Sequence, residues 1–121
     1  MNLKTLIIGA SLKSERYSNK AIHKLRSLDY AVCAFGLRSG KVLDVEIDTE
    51  LKIYEDIHTV SMYVNPKRQV DFFEYIISLK PKRVIFNPGT ENPEFYEVLK
   101  RNNITFEESC TLVLLSTGQY E

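Results

Sequence analysis

The run Lys4-Thr-Leu-Ile-Ile-Gly9-Ala10-Ser11-Leu12-Lys13-Ser14-Glu15-Arg16-Tyr17-Ser18 decides the fold. It is apolar up to a glycine, opens into a small-residue basic loop, and passes into a helical pattern. Leu3 to Ile8 has the continuous apolar character of a strand covered on both faces of a parallel sheet. Ser18 stands where it would cap a helix whose apolar positions Ala21, Ile22, Leu25 and Leu28 recur at three- and four-residue spacing. In an open α/β sheet the first loop of this kind faces the carboxyl edge of the strands, where backbone N–H groups and a helix N-terminus attract phosphate. The stretch directs the search toward a phosphate-bearing ligand.

The same alternation continues down the chain. Tyr30 to Phe35 reads as a second strand, followed by a turn at Gly36-Leu37-Arg38-Ser39-Gly40. Residues 41–57 alternate only loosely among charges, and irregular chain with one or two short strands is expected there. Thr59 to Val64 is β-branched and aromatic, a third strand, and Asn65-Pro66 then supplies an N-cap and a first helical proline. Val70, Phe72, Phe73, Ile76, Ile77 and Leu79 give that helix a wide apolar stripe, stopped by Pro81.

Arg83 to Phe86 reads as the fourth strand, and Asn92-Pro93 opens a helix carrying Phe95, Val98 and Leu99. Its charges suit the helix dipole, with Glu94 and Glu97 early and Lys100 and Arg101 late. Asn102-Asn103 ends it, Ile104 to Phe106 reads as a fifth strand, and Cys110 to Leu115 fits either a helix or a strand. The expectation is an α/β, Rossmann-like three-layer domain: a roughly five-stranded parallel sheet with helices on both faces, in one domain over residues 1–121.

Composition narrows the class. Lys plus Arg and Asp plus Glu each number 16, so the net charge is zero and the broad positive field of a nucleic-acid or membrane-surface binder is missing. Any anion must be met locally. No stretch approaches the roughly 20 apolar residues of a membrane span, and the N-terminus enters a strand without a leader pattern, which predicts a cytoplasmic address. Cys33 and Cys110 are expected as free thiols, as in a reducing compartment.

The first loop departs from the dinucleotide fingerprint G-x-G-x-x-G, holding Gly9, Ser11 and Ser14 at the glycine places. Ser11 and Ser14 offer hydroxyl donors, and Lys13 and Arg16 offer charge to phosphate. After the second strand, where NAD sites carry an acidic residue, the chain has Phe35-Gly36-Leu37-Arg38. Arg38, with Lys41, suits a ribose bearing an extra phosphate, as in NADP or coenzyme A. The loops Tyr63-Val64-Asn65-Pro66-Lys67 and Asn87-Pro88-Gly89-Thr90-Glu91-Asn92-Pro93 should share the same edge. Gly89 would let backbone approach a ligand, and Tyr63 would bracket it. No nucleotide-hydrolysis loop, zinc-spaced cluster or nucleophile elbow is present. His23 reads as a surface residue, His58 as an outside candidate at the sheet edge, and Cys110 as a thiol at a helix start.

Three motifs in order, Gly9-Ala10-Ser11 with Arg16-Tyr17, Asn87-Pro88-Gly89-Thr90-Glu91-Asn92, and Glu108-Ser-Cys-Thr-Leu-Val113, resemble the small single-domain CoA-binding proteins. That family is similar to the CoA-binding domain of the succinyl-CoA synthetase α subunit. The resemblance implies that Gly9, Ala10, Ser11 and Arg16 contact phosphate, that Arg38 meets the ribose phosphate, and that Tyr63, Asn65, Pro66, Asn87, Pro88 and Gly89 line the remaining path. Lys13, Tyr17 and Gly36 complete the candidate cofactor-binding set. The chain departs from the family in having His58 and Glu108 at places that often hold Asp, and Gly36-Leu37 where Asn-Pro ends strand two. The phosphorylated histidine and nucleotide-handling partner of the synthetase have no counterpart here, so the resemblance implies a CoA or acyl-CoA binding module, regulatory or carrier-like, without catalytic machinery.

Two alternatives stay open at this level. One is a small NADP-dependent oxidoreductase, which would need Tyr17, Tyr63 or His58 as proton donor. The other is a nucleotide-sensing interaction domain acting through a homodimer or another protein partner, with Phe72, Phe73, Tyr75 and Tyr96 as aromatic surface.

Overall fold

A computed structural model describes residues 3–121. The strands are β1 (Thr5–Ala10), β2 (Val32–Gly36), β3 (Gly40–Val42), β4 (Val45–Asp48), β5 (Thr59–Met62), β6 (Arg83–Phe86) and β7 (Thr105–Glu108). The helices are α1 (Tyr17–Ser27), α2 (Pro66–Gln69), α3 (Phe73–Leu79), α4 (Pro93–Arg101) and α5 (Thr111–Ser116), with a 3-10 turn at Val70–Phe72 between α2 and α3. The seven strands form one sheet in the order β3-β4-β2-β1-β5-β6-β7, parallel throughout except for the β3–β4 hairpin. This is the expected Rossmann-like α/β fold, with two strands added at one edge by residues 40–48.

Alternation along the central strands builds two cores. Ile7, Ala34, Ile47 and Ile85 face α1 and α5, meeting Ala21, Ile22, Leu25 and Leu115. Leu6, Ile8, Val60, Met62, Val84 and Phe86 face the other side, meeting Phe72, Ile76, Phe95 and Leu99. Helices therefore cover both faces. Cys110 to Leu115 resolves as a helix because Leu115 and Thr111 turn inward against the sheet while Val113 faces out.

Two local expectations are corrected. Arg16, not Ser18, is the N-cap of α1, and Ser18 is buried within the first turn. The stripe after Asn65-Pro66 is three short pieces instead of one helix. Gln69 is drawn fully inside to donate to the Val64 and Thr90 carbonyls, at 2.8 and 2.7 Å, and the chain tightens into a 3-10 turn before α3 begins. The two Asn-Pro starts hold as read: Asn65 accepts from the Arg68 N–H at 3.1 Å and Asn92 from the Phe95 N–H at 3.4 Å.

Sheet order places the functional question. β1 is followed outward by β2 on one side, whereas β5, β6 and β7 follow on the other, so the order reverses between β1 and β5. Ligands of open α/β sheets bind outside the carboxyl ends of the strands at such a reversal. Among the described residues, no helix is long and apolar enough to cross a membrane, and no group of three or more His, Cys, Asp or Glu side chains is placed to hold a metal.

Candidate functional site

Glycines let three strand ends close together at the reversal. Gly9 has φ +98°, and a Cβ there would stand 3.1 Å from both the Tyr63 carbonyl carbon and Val64 Cγ2. Gly36 is tighter still, since a Cβ would lie 2.3 Å from the Ala10 carbonyl oxygen. The β1–β2 register slips between Ile8 and Ala10 to bring Ala10 opposite Gly36. A Cβ at Gly36 would clash with the Ala10 backbone, and one at Gly9 would crowd Tyr63 and Val64 at a backbone conformation that side chains rarely adopt.

The first loop is ordered by its own polar groups. Ser11 Oγ accepts from the Lys13 N–H at 3.1 Å, the Arg16 N–H donates to the Lys13 carbonyl at 3.1 Å, and the buried Asn19 donates to the Ser11 carbonyl at 2.9 Å. No side chain caps α1 and its first turn holds no acidic residue. Its leading N–H groups and positive dipole end stand beside the loop without a side-chain cap.

These parts enclose a cleft of about 600 Å³. Of the candidate residues, Gly9, Ala10, Ser11, Lys13, Arg16, Tyr17, Gly36, Arg38, Tyr63, Asn65 and Pro88 line it together. Pro66 and Gly89 do not, nor does Lys41, which belongs to β3. Asn87 is 2% exposed, and its side chain is committed to the protein. It donates to Ser61 Oγ at 3.0 Å and to the Met62 carbonyl at 2.8 Å, and accepts from the Thr111 N–H at 2.8 Å, pinning the start of α5 to the sheet.

Sequence reasoning missed Arg68, Phe35 and Phe72, which also line the cleft. Arg68 follows the Asn65-Pro66 start within the same turn, and Phe35 is the penultimate residue of β2, so position on the carboxyl edge was the available signal. Lys13, Arg16, Arg38 and Arg68 are exposed, and among the described residues none has a carboxylate partner and no acidic residue lines the cleft. Phe35 and Phe72 form an edge-to-face pair in its lining, 5.5 Å between centroids.

Tyr63 brings its ring to the cleft but buries its hydroxyl, which has no hydrogen-bond partner. Burial pushes this phenol up to about 12 against the opposing pull of the nearby Ser61 and Thr111 hydroxyls, neither of which sits in hydrogen-bonding geometry. His58 lies at the amino end of β5, where its N–H meets the Lys4 carbonyl, at the edge opposite the cleft. Burial, then Arg83 and Lys82, lowers its pKa. Cys110 is the N-cap of α5 and Cys33 lies in β2; the two are not bonded, and burial raises the Cys33 thiol. A larger, more open depression of about 820 Å³ runs along the Lys20, His23 and Lys24 side of α1, away from the strand ends.

Comparison with protein families gives the same direction as the cleft: the CoA binding domain model matches residues 4–116. The chain belongs to the CoA binding domain family. A crystal structure of an uncharacterized protein shares 44% identity with this chain over 98% of each chain, with a TM-score of 0.95. A hypothetical protein from Pyrococcus horikoshii is 24% identical over 96% of this chain and 83% of its own, TM-score 0.87. A Thermus thermophilus protein is 20% identical over 98% and 90%, TM-score 0.84. The last two share the fold. Curated proteins gave no match to this chain.

Proposed function

We propose that the chain is a cytoplasmic module that binds CoA or an acyl-CoA in the cleft at the β1–β5 reversal, and that it acts as a carrier or regulator without catalytic machinery of its own. One observation carries the reading: in a chain of zero net charge, the cleft gathers four unpaired cations and no carboxylate beside an uncapped helix N-terminus. Charged groups of one sign left unpaired around a concave site favour an anionic ligand of opposite charge. Lys13, Arg16 and the α1 N-terminus take the pyrophosphate, and Phe35 and Phe72 offer apolar contact to the adenosine end. The loops after β5 and β6 guide the pantetheine arm past Tyr63 and Pro88.

The NADP-dependent alternative is disfavoured by its proton donors: His58 lies on the far edge and the Tyr63 hydroxyl is buried, leaving only the exposed Tyr17. Thermal unfolding against millimolar CoA, dephospho-CoA, NADP and NAD tests the proposal, because a ligand bound by the native state alone raises the midpoint by mass action. CoA should give the largest rise. A rise with NADP and none with CoA would overturn the reading.

A further inference from the structure

We propose that Arg68 on α2 acts with Arg38 as a two-armed clamp on the ribose phosphate, so that selectivity for a phosphorylated ribose is set from the wall of the cleft opposite β2. This inference rests on the CoA reading above. The cations of the cleft fall into two sets. Lys13 and Arg16 belong to the first loop and the start of α1, whereas Arg38 follows β2 and Arg68 follows β5, the two strands that flank β1. A ligand carrying phosphate in two places, on its pyrophosphate and on its ribose, calls for two such sets.

Each arm of the second set shares the cleft lining with an aromatic residue close to it in sequence. Phe35 precedes Arg38 at the end of β2, Phe72 follows Arg68 in the 3-10 turn, and the two rings meet edge to face at 5.5 Å. The pair joins the two walls of the cleft that Arg38 and Arg68 also line. A guanidinium fork matches phosphate oxygens in a way that a point charge does not.

Arg68 is also pre-positioned. Its own N–H is held by Asn65 Oδ1 at 3.1 Å. The next residue, Gln69, is fully buried, donates to the Val64 and Thr90 carbonyls, and accepts from Asn92 Nδ2 at 3.0 Å. One turn of helix is thereby fastened to both the β5 and β6 loops while the arginine side chain stays exposed and unpaired. Elsewhere Arg26 forks onto Asp44, Lys52 meets Asp48, and Lys100 meets Glu97. A fixed backbone with an uncommitted guanidinium lowers the ordering cost of binding.

The test is calorimetric titration of the purified chain, wild type and R68Q, with CoA and dephospho-CoA, and with a K13Q/R16Q double variant as the comparison. Wild type should prefer CoA. R68Q should lose about tenfold in CoA affinity, the scale of a charge-assisted hydrogen bond, with dephospho-CoA affinity unchanged. K13Q/R16Q should weaken both ligands by a similar factor. Because the Arg68 side chain is exposed and makes no hydrogen bond or ion pair among the described residues, R68Q should unfold at the wild-type midpoint. Wild-type binding of CoA together with an R68Q effect that is absent, or equal on both ligands, overturns the clamp and leaves the CoA reading standing. Failure of wild type to bind either ligand overturns both.

Discussion

Replacing Asn87 by Ala separates a structural role from a ligand contact at a residue that the motif assigns to the cofactor. Asn87 makes three hydrogen bonds, to Ser61 Oγ, the Met62 carbonyl and the Thr111 N–H, at 3.0, 2.8 and 2.8 Å. Ser61 keeps its bond to Thr111 Oγ1 at 2.8 Å and is not stranded. The Met62 carbonyl loses the amide's bond, and Thr111 N, among the first N–H groups of α5, loses its acceptor. Stranding a buried polar group costs about 1–3 kcal/mol, and the lost side-chain volume adds to it, so Asn87→Ala should destabilise by about 3–4 kcal/mol. For a domain of this size each kcal/mol moves the midpoint by roughly 3–6 °C, so Tm should fall by about 10–20 °C. Urea unfolding followed by circular dichroism, with CoA affinity measured on the folded fraction at low temperature, is the assay. Asn87→Asp is the companion variant: it retains an acceptor for Thr111 N but turns a carboxylate toward the Met62 carbonyl, and should be no more stable than the alanine. Wild-type stability together with lost CoA affinity would refute the reasoning and return Asn87 to the ligand.

Three further outcomes are expected. Gly36→Ala places a Cβ 2.3 Å from the Ala10 oxygen, so β1 and β2 must separate at the cleft; a loss of about 2–3 kcal/mol in urea is expected, and no loss would show that the strand ends yield freely. Tyr63→Phe removes a buried hydroxyl that has no partner and should change stability by less than about 1 kcal/mol in either direction; a larger loss in the same assay would mean that the hydroxyl is bonded. The His58 imidazole titrates below its ordinary 6.5 because of burial and the neighbouring Arg83 and Lys82. With the folded value depressed, the neutral ring contributes stability that is fully present above pH 6.5 and is lost as pH falls toward the folded value. His58→Gln should therefore flatten the stability-versus-pH curve just below pH 6.5, and an unchanged slope in unfolding midpoints measured across that window would count against the assignment.

The elements that were legible in the sequence carried local signals. Continuous apolar runs marked β1 and β6, Asn-Pro pairs marked the starts of α2 and α4, and the paired asparagines ended α4, where Asn103 takes a positive φ of 58°. Less was visible where long-range contacts decide. Residues 41–57 show no period, yet Val42, Val45 and Ile47 bury against the α1 side, and the Arg26–Asp44 fork ties the hairpin to the helix. Tyr120, which no sequence pattern placed in the core, is 2% exposed, with Arg83 stacked at 4.6 Å and donating to its carbonyl. Gln69 lies outside the apolar stripe read for the helix after Asn65-Pro66. In the fold it is fully buried, because two loop carbonyls from distant parts of the chain need its donors.

By itself, the sequence determined the class of fold and the edge of the sheet on which the basic and small residues collect, since both follow from patterns a few residues long. Tertiary structure alone decided which of those residues share a cleft. Loops joined to different strands converge only when strand order is known, and the reversal between β1 and β5 brings Arg68 across from Arg38. It also took Asn87 out of the cleft, because a buried amide with donors and an acceptor is consumed by the backbone groups that β5 and α5 leave unpaired.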